Sequence, residues 1–245
     1  YHLILSELEQ QMKSMPTIQL NEVRNFLLMA GLYVVNFLTA MMTVLTSVDT
    51  LSGEIGSGTI QTIISKPLQR WQVVTGKWVG FAIMISLYMV LMAGGVTAIV
   101  YLRSGYLPPN PVLGLGLIWL NALLLLSVSI LGGTRLSTLA NGVLVFGLFG
   151  IAFIGGWIEQ IGGVLPDAAT RQTASNVGVV TSLIMPSEAL WRRAAHELQS
   201  SLVGAMGFSP FSGSSYPSDL MIGYAVIFTG VCLLLAIQLF NRRDL

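Results

Sequence analysis

Val112-Leu-Gly-Leu-Gly-Leu-Ile-Trp-Leu-Asn-Ala-Leu-Leu-Leu-Leu-Ser-Val-Ser-Ile-Leu131 is twenty residues without an Asp, Glu, Lys or Arg. A helix of that length crosses the ~30 Å hydrocarbon core of a bilayer. Four further stretches have the same character: Phe26–Ser47, Val79–Tyr101, Leu139–Ile158 and Met221–Phe240. One charged side chain at the centre of such a helix would cost about 2.5–3.5 kcal/mol. The runs are continuously apolar and do not alternate, which excludes the strands of a membrane β-barrel. The expected fold is all-α: a polytopic transmembrane helix bundle formed by a single domain over residues 1–245.

Composition agrees. Charged residues are 9% of the 245 and apolar residues 53%, where a soluble domain carries about a quarter charged. So few charges cannot cover a water-facing surface, and the apolar surface must face lipid. A net charge of +1 gives no basic patch for nucleic acid. The single cysteine, Cys232, excludes an internal disulfide and a multi-cysteine metal site. It lies in an apolar run and reads as packing. His2 and His196 stand far apart, so no metal site is expected.

Successive spans alternate in direction, which divides the gaps into two sets. Gaps 48–78, 132–138 and 241–245 hold Lys66, Arg70, Lys77, Arg135, Arg242 and Arg243. The other set is more than twice as long and also holds six basic residues, three of them in the long gap 159–220. Long loops cross membranes largely regardless of charge, so the first set is expected in the cytoplasm, with the C-terminus inside. Five spans then put Tyr1 outside, with no cleavable leader pattern before the first run. One span preceding Tyr1 would give six, with both ends inside.

The cytoplasmic gap 48–78 carries most of the information. Gly53, Gly56 and Gly58 mark a turn or a close backbone approach. Over Thr59–Ser65, Ile60, Ile63 and Ile64 share a helical face, and Pro67 ends that helix. Arg70, Lys77, Trp71 and Trp78 suit a lipid–water boundary. The residues alone leave two readings open, an interfacial loop and a docking element. No G-x-x-x-x-G-K-[ST] occurs, so nucleotide binding by this chain is not expected.

The string Glu54-Ile-Gly-Ser-Gly-Thr-Ile-Gln-Thr-Ile-Ile-Ser-Lys-Pro67, followed by Arg70 and Gly76-Lys77, resembles the signature between the second and third spans of ABC-2 type transporter permeases. The ending Phe240-Asn-Arg-Arg-Asp-Leu245 is similar to the Phe-x-Arg-Arg-Asp ending common among them. The resemblance covers essentially the whole chain. It departs at the front, where an elbow helix and a first span are lacking. It implies the membrane subunit of an exporter in the cell (cytoplasmic or inner) membrane, paired with a second permease subunit and two copies of a separate ABC ATPase subunit. ATP and magnesium would be bound by that partner, with no cofactor in this chain. Glu54, Gly58, Thr59, Ile60, Ile63, Ile64, Lys66, Pro67 and Arg70 would form the coupling element, with Glu54, Lys66 and Arg70 at the rim of the ATPase groove.

Asn36, Asn121 and Asn141 are the notable polar residues within the spans. Helix–helix hydrogen bonding is the first reading of each, and a place on the translocation path is the second. The spans carry no carboxylate or histidine, which speaks against a proton relay and an intramembrane enzyme, and no charged ring points to a channel. A non-transporting membrane scaffold and an intramembrane enzyme are the alternatives. Gly76 with Gly80, Gly94-Gly95 and Gly155-Gly156 read as close helix packing. In the external gap 159–220, Ser187 is expected to cap a helix with Glu188 near its positive end. Leu190, Ala194, Leu198 and Leu202 form its apolar stripe, and Trp191, Arg192 and Arg193 suit an interfacial position. Residues 203–219 read as a linker. The external gap is expected to hold short interfacial or re-entrant helices. Substrate identity does not follow from the residues, though an amphiphilic compound suits the apolar spans best.

Overall fold

The computed structural model describes residues 17–59, 69–200 and 216–243. Among them there is no strand. Five helices are long and apolar enough to cross a membrane, in the order of the five apolar stretches. Helix α1 is Thr17–Ser47 and a short helix α2 is Ser52–Gly56. Arg70–Met89 (α3) continues through a π turn, Val90–Gly94, into α4, Gly95–Ser104. Then come α5, Pro111–Gly133, and α6, Thr138–Gly163. Two more helices, α7 (Ala168–Ile184) and α8 (Ser187–Leu198), precede the last span, α9, Asp219–Asn241.

Helix α5 is the axis of the bundle. Of its apolar stretch 72% is buried, against 17% for α3–α4 and 22% for α9. Residues 121–130 are buried on every side of the helix, the pattern of a helix surrounded by others. One core cluster gathers Leu28 and Leu32 of α1, Leu117 and Leu124 of α5, Phe149 of α6 and Trp191 of α8. A second, toward the other end, gathers Leu51, Val74, Ile85, Ile130 and Phe240. The outer faces remain apolar, with Leu102, Val112, Leu139 and Leu220 almost fully exposed, as lipid-facing side chains should be.

The segment after α6 departs from the sequence reading. Helix α7, which the sequence reading did not single out, folds back along α6. Small residues set the fit: a Cβ built on Gly155 would stand 2.0 Å from Thr181 Oγ1, and one on Gly162 2.1 Å from Ala174 Cβ. Asp167 caps the helix, its carboxylate accepting from Thr170 N at 2.8 Å. Helix α8 then runs into the bundle. Trp191 is 1% exposed and Arg192 5%, so neither sits at an interface as expected. Trp191 meets Tyr33 of α1 edge-on at 5.1 Å. The cap also differs: Pro186 precedes the helix, and Ser187 lies inside it, its Oγ buried without a hydrogen-bond partner. Leu202 and residues 203–215 lie outside the described residues.

The glycine pairs divide. Gly155 and Gly156 are in close packing, whereas a Cβ on Gly76, Gly80, Gly94 or Gly95 would meet nothing within 4 Å. Those four therefore pack against no other helix of this chain among the described residues.

Candidate coupling site at the loop end

Helices α1, α2, α3, α5, α6 and α9 all present an end at one pole of the bundle. The described parts of the gap carrying the Glu54-to-Lys77 signature, up to Thr59 and from Gln69, lie there. Helix α2 follows α1 after a tight turn, with Thr50 N donating to Ser47 O at 3.1 Å. Its Ile55 packs with Trp78 and Phe81 against the second core cluster. Glu54 faces α3: Lys77 Nζ stands 2.6 Å from Glu54 Oε1 and 3.3 Å from Thr50 O. Asp49 accepts from Thr138 Oγ1 at 2.6 Å and Ser52 shares a hydroxyl contact with Thr138 at 3.1 Å, which ties the start of α6 to the same turn.

At the far side of the gap, Gln69 N donates to Gln72 Oε1 at 2.9 Å and opens α3. Arg70 Nη1 donates to the carbonyls of Arg243, at 2.5 Å, and Asn241, at 3.3 Å. The Asn241 carbonyl is an orphan acceptor at the C-terminal end of α9, the negative pole of its dipole, and Arg243 lies just beyond it. Arg243 in turn donates to Thr134 O at the end of α5.

Of the nine expected coupling residues, Glu54, Gly58, Thr59 and Arg70 are described. Ile60, Ile63, Ile64, Lys66 and Pro67, and with them all but Thr59 of the helix expected over Thr59–Ser65, lie outside the described residues. Gly58 has φ +74°, a left-handed conformation for which glycine is the ready residue. Thr59 is exposed and shares a hydroxyl contact with Ser57 at 2.9 Å. Glu54 and Arg70 both turn onto the chain itself. Trp71 is 45% exposed and fits a boundary position. Trp78 instead points inward, its indole N–H donating to Ser127 Oγ on α5 at 2.9 Å.

The three asparagines are buried between helices. Asn121 Nδ2 donates to Asn36 Oδ1 at 3.1 Å, joining α5 to α1. Asn141 Nδ2 donates to Val48 O at 3.0 Å and Ser129 O at 2.9 Å, joining α6 to the end of α1 and to α5. Ser47 Oγ and Ser129 Oγ add a contact at 2.8 Å. This is the geometry of helix–helix hydrogen bonding.

The opposite pole holds charges that the sequence reading placed elsewhere. Helix α6 runs past the expected Ile158 to Gly163, so Glu159 lies within it. Arg192 Nη1 is 2.7 Å from Glu159 Oε2, and both side chains are largely buried. Glu188 sits one turn before Arg192, packed over Gly156. Burial pushes its carboxyl up to about 8, with Glu159 reinforcing the shift and Arg192 opposing it. The i, i+4 spacing of Glu188 and Arg192 was the available signal. Beside them a cavity of about 490 Å³ is lined by Glu159, Val179, Leu183, Arg192, Tyr216 and Tyr224, among others. No group of three or more metal-ligating side chains occurs among the described residues.

This is a polytopic membrane bundle with polar, hydrogen-bonded helix ends gathered at one pole. The sequence model of the ABC-2 family transporter proteins matches residues 2–245, and the chain belongs to that family. It is thus the membrane permease component of an ABC transporter, a family that associates with an ABC ATPase partner. No curated protein matched the chain.

Proposed function

We propose that this chain is the membrane subunit of an exporter driven by ATP that a separate nucleotide-binding subunit hydrolyses. The family match over residues 2–245 carries the reading. Two permease subunits and two ATPase subunits make the working unit, with ATP and magnesium held by the ATPase. The pole bearing Glu54, Arg70 and the C-terminus faces the cytoplasm, where the ATPase is. Gap 48–78 is the coupling element, with Gly58, Thr59, Ile60, Ile63, Ile64, Lys66 and Pro67 nearest the partner. An amphiphilic compound is the favoured cargo.

ATP shifts the conformational equilibrium through its higher affinity for one state of the ATPase dimer, and the coupling element passes that preference to the bundle. The test is reconstitution of the complex in proteoliposomes with ATP supplied on the ATPase side. ATP-dependent, chain-dependent extrusion of a fluorescent amphiphile is expected. Failure of a P-loop ATPase to co-purify with the chain, or ATP hydrolysis by this chain alone, would overturn the proposal.

A further inference from the structure

The signature residues Glu54, Arg70 and Lys77 were expected at a partner's rim or in the headgroups, yet they are spent on this chain. Glu54 Oε1 meets Lys77, and Glu54 Oε2 is sealed from solvent without a hydrogen-bond partner. One carboxylate oxygen is thus enclosed against the bundle, while the side chain as a whole is 31% exposed. Arg70 is likewise turned toward α9, donating to two carbonyls at its end. Within gap 48–78 these residues form two borders, Glu54 before residues 60–68 and Arg70 with Lys77 after them. One contact, Glu54 with Lys77, fastens α2 to α3. The other fastens the first residue of α3 to the end of α9 and, through Arg243 and Thr134, to the end of α5.

We propose that Glu54 with Lys77, and Arg70 with the carbonyls of Asn241 and Arg243, are positioning contacts. They make both borders of the gap move as one body with the ends of α3, α5 and α9. The inference rests on the reading of gap 48–78 as the coupling element and deepens it. A displacement applied to residues between two loose borders would be absorbed by backbone rotation. Held at both borders, it passes to packed helices, which are the structures that carry coupling over distance. Glu54, Arg70 and Lys77 then serve transmission rather than contact with the ATPase. The C-terminal Arg243 belongs to the same device, although it lies far from the gap in sequence.

The test uses the reconstituted complex with its ATPase and measures fluorescent amphiphile moved per ATP hydrolysed. Lys77→Ala and Arg70→Gln should leave the ATPase bound and its hydrolysis within about two-fold of the parent, and lower transport per ATP by about ten-fold, within the usual range of coupling energies. The exchanged pair Glu54→Lys with Lys77→Glu should recover most of the ratio. A second arm removes the question of folding. Glu54→Cys with Lys77→Cys, in a Cys232→Ala background, is bridged by a short bis-methanethiosulfonate reagent and then released by reductant. Transport per ATP should be high when bridged and low when released, in one preparation. An unchanged ratio in the single variants, or loss of ATPase binding in them, would overturn the inference, as would indifference to the bridge. Failure of the parent complex to assemble or transport would instead overturn the reading of function.

Discussion

Gly155 and Gly156 stand where α6 meets the returning chain, and neither has room for a methyl group. A Cβ on Gly155 would lie 2.0 Å from Thr181 Oγ1, and one on Gly156 2.3 Å from Glu188 Cγ. Because Glu188 is buried among neighbours, its stem cannot swing aside as a surface side chain would. Gly155→Ala or Gly156→Ala should lower stability by about 1–3 kcal/mol, the usual cost of overpacking, seen as a lower thermal midpoint in detergent. Gly76→Ala should leave that midpoint unchanged or slightly raised, since its Cβ meets nothing and alanine favours helix by about 1 kcal/mol. The same pole holds the Arg192–Glu159 pair at 2.7 Å. Arg192→Met strands a buried carboxylate and should cost about 3–5 kcal/mol, much of it recovered by adding Glu159→Gln. Glu188 gives this region a pH dependence. Its carboxyl, ordinarily at 4.5, is pushed to about 8 by burial, so the folded state holds the proton more tightly than the unfolded state. The contribution of Glu188 to stability is therefore fully present below about pH 4.5 and declines as pH rises toward about 8. Glu188→Gln should remove that decline, with its thermal midpoint gaining on the parent's between those limits.

At the scale of elements, what could be read from the residues depended on whether burial announces itself as apolarity. The five spans did, because lipid demands uninterrupted apolar side chains and these stretches have them. Helix α7 did not. Its residues Thr170, Gln172, Thr173, Ser175 and Asn176 look like a loop, and it is held to α6 by glycine and alanine fits that have no hydropathy signal. Only Asp167 three residues before Thr170 marked its start. In α8 the stripe of Leu190, Ala194 and Leu198 was legible and is buried. Its depth was not, because Arg192 enters the bundle only by virtue of Glu159, which is distant in sequence. The asparagines show the reverse case, where the commonest physical role of a polar residue in a span matches the contacts found. Asn141 joins three elements by two hydrogen bonds to backbone carbonyls. Asn141→Leu should loosen the end of α1 from α5 and α6 and cost about 1–2 kcal/mol. It should also speed hydrogen exchange at the turn after Ser47 before it does so at the opposite pole.

For the whole molecule, the two poles are chemically distinct, and helix α6 connects them. It begins beside Asp49, to which Thr138 donates, and ends beside Arg192. Its 26 residues rise roughly 39 Å at 1.5 Å each, more than the ~30 Å of hydrocarbon. Two of the basic side chains at the far pole are paired with acids: Arg192 with Glu159, and Arg193 with Glu197 and Asp219. At the loop pole Arg70 and Arg243 reach backbone carbonyls instead. Orientation follows the count of Lys and Arg in short gaps rather than their pairing, and on that count the loop pole is predicted to stay in the cytoplasm. Single cysteines placed at exposed Ser57 and exposed Ala169, in a Cys232→Ala background, measure it directly. In intact cells a membrane-impermeant maleimide should label the cysteine at position 169 and spare the one at 57 until the membrane is opened. Labelling of both from outside would show that the two poles do not lie on opposite sides of the membrane. The reversed pattern would keep the bundle and invert it, placing the Glu54–Lys77 segment beyond the reach of a cytoplasmic ATPase.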